Sequence, residues 1–166
     1  MLKAAHAIIR LSGGEHAYDP TSPFAKTVLR VAKLYASNAA DVRALEWLDK
    51  LDVTRLATDP GKRQGDGDRE QEFASLREQY YGIRTGSLAR LGRWQPCLET
   101  AMRAVSECGQ LHHDNHVWFA RRIALAKQRL GRPQEAFDEL QQLAARKPTG
   151  FMQADIAAAA WAAGDQ

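Results

Sequence analysis

The chain has 166 residues, 45% of them apolar, and its 23 Lys and Arg stand against 20 Asp and Glu, so it is long enough for one domain and too nearly neutral for charge to name a partner class. No apolar run approaches the roughly 20 residues of a membrane-spanning helix, and the start lacks the charged, apolar and small-residue order of a secretory leader; no membrane partner and a cytoplasmic location are expected. Ala, Leu, Arg, Glu and Gln are abundant, β-branched runs are few and no strand signal stands out, which predicts an all-α fold.

The first element is a short apolar stripe, Leu2, Ala5, Ile8 and Ile9, ending at Ser12-Gly13-Gly14. It reads as a lone second helix or an irregular cap on the helix that Ser22 and Pro23 start. From 25 to 58 a pair of helices is expected, with Ala32 and Tyr35 facing inward from the first, a turn at Ala39, and Ala44, Leu48 and Leu51 on the packing face of the second. Residues 59–69 combine Gly, Pro and charge with nothing apolar and are expected to form a mobile loop. A second pair spans 78–111, with Tyr81 and Leu88 inward, Gly92 at the turn, Trp94 opening the next helix, and Cys97, Ala101 and Ala104 on its packing face.

The third pair, 117–150, is the most regular. A helix from Val117 to Leu130 carries Ile123, Ala124 and Lys127 inward, and Gly131 stops it in the left-handed conformation. Pro133 opens its partner without losing a hydrogen bond, and Ala136, Leu140 and Leu143 share one face before Pro148. Residues 151–163 then repeat the first-helix pattern with Ala157 and Trp161, apolar almost all round and with no second helix to cover them. Phe151, Ile156 and Trp161 are therefore expected to form a docking end, covered by a partner protein, a second copy of the chain in a homodimer, or further repeats.

The spacing of large, small, glycine and proline positions over about 34 residues resembles the tetratricopeptide repeat. That resemblance implies a right-handed α-solenoid of antiparallel helix pairs, about three and a half units in one domain spanning 1–166, part of a longer array or complex. It also implies that certain first-helix positions face a concave groove. Carried over by register, these are Lys26, Leu29, Lys33, Ala36 and Ser37 with Arg30 beside them; Gln79, Gly82, Gly86, Ala89 and Arg90; and Trp118, Arg121, Leu125, Gln128 and Arg129 with Arg122 adjacent. The groove should be basic. The chaperone-tail clamp of some members needs a lysine and asparagines where this chain has Leu29, Arg30 and Lys33, so that partner is disfavoured.

Catalytic constellations are missing. Glu135, Asp138 and Glu139 lie on the polar side of a helix, Gly61-Lys62 lacks the rest of a phosphate-binding loop, and no nucleophile elbow or dinucleotide loop is present. Cys108, His112, His113 and His116 cluster, but their spacing suits no tetrahedral site, and Asp114 or Asn115 reads better as the cap of the following helix; no tightly bound metal and no cofactor are expected. Cys97 and Cys108 lie about 16 Å apart on one helix, beyond the roughly 7 Å a disulfide allows. The string from His113 to Ala124, with the Leu-Gly turn and the Phe151 helix, resembles bacterial tetratricopeptide proteins linked to antiviral defence, and an Ala- and Arg-rich composition fits a GC-rich bacterial source. This resemblance implies a non-catalytic subunit beside effector enzymes. Two functions follow: a scaffold that holds another protein, or an accessory subunit in which Lys26, Arg30, Lys33, Arg90, Arg121 and Arg129 contact RNA or DNA phosphates and Trp118 offers a stacking face.

Overall fold

The structure, a computed structural model, describes residues 2–19, 22–64, 70–109, 111–147 and 150–164. Among them it places eight α-helices: α1 (Leu2–Ser12), α2 (Pro23–Ser37), α3 (Asp41–Leu48), α4 (Leu76–Arg90), α5 (Trp94–Glu107), α6 (Asn115–Arg129), α7 (Pro133–Arg146) and α8 (Gly150–Gly164). Each packs on its neighbours in the chain, and α2 also meets α4, α4 meets α6, and α6 meets α8. The protein is thus helical, as its composition predicts, and no helix among the described residues is long and apolar enough to cross a membrane.

Three turns close in the same way. Ala40 N–H donates to Tyr35 O (3.0 Å), Arg93 N–H to Leu88 O (2.9 Å) and Arg132 N–H to Lys127 O (3.0 Å), each around a residue of positive φ: Ala39 at 57°, Gly92 at 68° and Gly131 at 80°. Such closure satisfies carbonyls that a helix end leaves orphaned. At Ala39 a β-carbon occupies backbone space that costs an L-residue roughly 1–2 kcal/mol, so Ala39→Gly is expected to raise stability by up to about 1 kcal/mol after the added chain entropy of glycine. Urea unfolding of the two chains would check it.

Most of the small and apolar residues expected to face inward do so. Ala32, Ala44, Leu48, Cys97, Ala101, Ala104, Ala136 and Leu140 are all fully buried, and Ala124, Tyr81 and Leu88 nearly so. Thr85 takes the small first-helix position of the second pair and donates its hydroxyl to Tyr81 O at 2.8 Å. Lys127 stands where the repeat has an aromatic, its ammonium held between Glu135 and Glu139 of α7, so these two carboxylates are ion-pair partners and not merely a solvated face. Cys97 and Cys108 are free and buried, and burial pushes the Cys108 thiol up to about 11 and raises that of Cys97 as well. A thiol reagent at neutral pH should therefore label neither in the folded protein and both after denaturation.

Several expectations are corrected. The segment read as loop, 59–69, contains strand β1 (Gly61–Gln64), which pairs antiparallel with β2 (Glu70–Phe73) just beyond it, Gly61 opposite Phe73. Backbone pairing needs no apolar alternation, so the period-two signal sought in sequence was absent; residues 65–69 of that segment lie outside the described residues. In the first pair the second helix is only 8 residues long and is followed by a 3₁₀ turn at Val53–Arg55. Leu143, expected on the packing face of its helix, is only half-buried, as are Trp94 and Phe137. Asp114 does not cap α6 with its side chain, which instead pairs with Lys147. In α8 the inward residues are Met152 and Ala159, while Ala157 is exposed, a rotation an evenly apolar helix cannot reveal in sequence. The proline at 148, read as the end of the third pair, is outside the described residues.

Candidate partner-binding groove

The first helices of the three pairs, α2, α4 and α6, line two adjoining concavities of about 590 and 220 Å³ that share Lys33, Gly82, Ile83 and Arg122. Their floor is low because α4 carries Gly82 and Gly86. A β-carbon at Gly86 would stand 3.4 Å from Arg122 Nη2 and 3.5 Å from Arg90 Nη1, where the guanidinium groups lie, whereas one at Gly82 would meet nothing.

At the centre is Arg122, a residue the sequence placed only beside the groove. Its Nη1 donates to Thr85 Oγ1 at 3.0 Å, its guanidinium stands 6.0 Å from the Phe119 ring, and among the described residues no carboxylate lies within ion-pair distance. Burial lowers its pKa, with Arg90 and Arg121 pushing the same way, while the group remains protonated. Lys33, exposed on α2 across the groove, is likewise without an ionic partner. These two cations are therefore open to an anion.

Of the other cations named from the register, all but Arg30 are engaged. Arg90 binds Asp41 through Nε and Nη2, with contacts of 2.6 to 3.1 Å. Arg121 binds Asp155 of α8 in the same two-pronged way and lies 5.2 Å from the Phe151 ring. Arg129 stands 5.7 Å over Trp94, Lys26 has interactions of its own, and Arg30 is exposed on the α1 side of α2. Gln79 Nε2 donates to Ala74 O at 2.7 Å and Gln128 Nε2 to Ala158 O at 3.1 Å. Leu29 is buried and does not reach the groove.

Trp118 and Phe73 are 40% and 43% exposed along one rim. Trp118 is stacked on Phe151, 5.0 Å between centroids at 12°, so one of its faces is taken. At the same end Glu78, 3% exposed, accepts from His112 N–H (2.9 Å) and Asn115 Nδ2 (2.6 Å) and ties the 111–115 segment to α4. The groove is thus basic in the middle, with a buried carboxylate and aromatic rim at one end. Glu78 and Asp41 were missed because a carboxylate in the first turn of a helix reads as surface until its partner, 34 to 49 residues away, is known. Of the docking end, Ile156 is half-buried against Ala124, Ala136, Leu140 and Ala159, Phe151 is covered in part by Trp118, and Trp161 alone of the three is largely exposed, at 76%.

His112 and His113 rings contact each other at 3.9 Å, and among the described residues no group of three His, Cys, Asp or Glu side chains is placed to hold a metal ion. The chain matches no family model, no curated protein and no solved structure.

Proposed function

We propose that this chain is a non-catalytic scaffold, a tetratricopeptide-like α-solenoid of about three and a half units whose concave groove holds an acidic segment of another protein. The observation that carries the reading is that Lys33 and Arg122 both line the groove with, among the described residues, no carboxylate on either. An acidic side chain entering there would gain charge-assisted bonds at a part-buried guanidinium, worth more than the same contact in open water. Trp118 and Phe73 supply apolar area beside it. In this reading the chain serves as a subunit beside an effector enzyme, as the likeness of residues 113–124 to defence-linked proteins implies.

A nucleic-acid partner is the second reading, favoured by the exposed aromatic rim next to cations. The ion pairs of Arg90 and Arg121 weaken it, because phosphate contacts would have to displace Asp41 and Asp155. Affinity purification across a salt series separates the two. A protein partner held by two charge contacts and apolar area should weaken only modestly as salt rises and be lost on Lys33→Glu, whereas binding carried by several phosphates falls steeply, by about 10³–10⁵ over a fourfold rise in salt. Co-purifying RNA or DNA with that salt slope would replace the first reading by the second.

The outward side of α8 is the second surface of the scaffold in this proposal. Trp161→Glu is expected to weaken association while leaving the helical circular dichroism intact, since Trp161 contributes little buried area. Loss of the whole fold on that change would mean the helix is an internal element and does not dock.

A further inference from the structure

On the far side of α2 from the groove, a second trough of about 520 Å³ runs between α1 and α2. Its walls are apolar: Ala4 and Ile8 on α1 face Val31 and Leu34 on α2, with Ile8 and Leu34 38% and 44% exposed. Its rim is cationic, with Arg30 and Lys33 both exposed and, among the described residues, neither paired. Neither α1 nor α2 contains a single Asp or Glu. An apolar floor beside unneutralised cations, with no acid on either wall, is complementary to one kind of surface.

We infer that the α1–α2 trough binds an acidic amphipathic helix of a partner protein, seated on apolar walls that the concave groove does not share, with Lys33 on the ridge between the two. The partner helix would lay apolar residues spaced three and four apart onto Ile8 and Leu34 and set Asp or Glu against Arg30 and Lys33. The trough is open along one side, which suits a helix that buries one face and shows the other to water. An acyl chain laid in it would leave apolar area wet along its length. At about 1.5 Å per residue, the lining of the trough from Thr27 to Ser37 on α2 spans about 15 Å, room for roughly three turns.

The test uses the full chain as bait for a random peptide library displayed on phage, followed by binding of the selected peptides to the wild type, Leu34→Glu, Arg30→Glu and Lys33→Glu. Leu34 and Arg30 are exposed, and a circular dichroism melt checks that these variants stay folded. The expected winners carry apolar residues at helical spacing with flanking Asp or Glu, gain helicity on binding, and lose about tenfold or more in affinity on Leu34→Glu and on Arg30→Glu. Peptides that lose affinity on Lys33→Glu but not on Leu34→Glu belong to the concave groove and would bear on that reading alone. Selection of basic or extended peptides by the trough, indifference of every winner to Leu34→Glu, or no winners at all would overturn the inference. So would binding at this site only by vesicles of equal parts phosphatidylglycerol and phosphatidylcholine, which would assign the trough to a membrane surface.

Discussion

Replacing Ala136 by Leu is expected to cost about 1–3 kcal/mol, and by Arg more, since a charge would then be forced into the contact between α6 and α7. Ala136 has no exposed surface and sits in a small cluster with Ala124, Leu140 and Ala159. Two small residues, Ala124 on α6 and Ala136 on α7, stand where the two helices pack, and close-packed interiors yield little to added volume. For a chain of this size a loss of 1 kcal/mol lowers the melting temperature by roughly 2–4 °C, so even the Leu substitution should be plain in a thermal melt. An unchanged melt would sink the register assigned to the third pair. Because each helix leans mainly on its neighbours, the same change should leave the α2–α4 region comparatively protected in hydrogen exchange.

Arg90→Ala is expected to destabilise by about 3 kcal/mol, near the low end of what removal of one partner from a buried ion pair costs. The Asp41 side chain is 6% exposed and opens α3, while the Arg90 guanidinium on α4 is half exposed, which moderates the loss. The hydrogen bond from Arg90 is the main reason the Asp41 carboxyl is held below the ordinary carboxylate range; burial opposes it, and a contact with Ser87 assists. The sign follows. A carboxyl with a lowered folded pKa stabilises above its unfolded value of roughly 3.9 and loses that contribution as pH falls through the folded one. Wild type and Arg90→Ala should therefore differ most near neutral pH and converge in acid, as urea midpoints measured at neutral pH and below pH ~4 would show. A gap that is constant or widens in acid would mean that Arg90 acts through packing and not through this pair.

What was legible in the sequence was the part set by local periodicity and stop signals. Ser22 caps α2 with a bond to Phe24 N–H, Pro133 opens α7, and Gly92 and Gly131 take the positive φ that a helix-ending turn demands. The same signals placed Cys97, Ala101 and Ala104 inside. Hidden from it were contacts between residues far apart in the chain. Asp41 with Arg90, Glu78 with the 111–115 segment and Arg121 with Asp155 are ordinary charges in sequence and become structural only once α3, α4, α6 and α8 stand together. Those pairs also decide which groove cations are open: the sequence names six, Lys26, Arg30, Lys33, Arg90, Arg121 and Arg129, and among the described residues the fold leaves Lys33, together with Arg122 beside the register, facing the cavity without a carboxylate. The rotation of α8 was illegible for a different reason, since a helix apolar on all sides carries no phase.

The account rests on the groove between α2, α4 and α6, and a photocrosslinking residue installed at Gln79 probes it directly. Gln79 lines the larger cavity beside Trp118, and its one hydrogen bond there, to Ala74 O, is local. On irradiation in cells the account predicts a covalent product with a protein, crosslinked within or next to an acidic stretch, and its loss when Lys33 is changed to Glu. A product with RNA or DNA, or a protein product that survives Lys33→Glu unchanged, would contradict it.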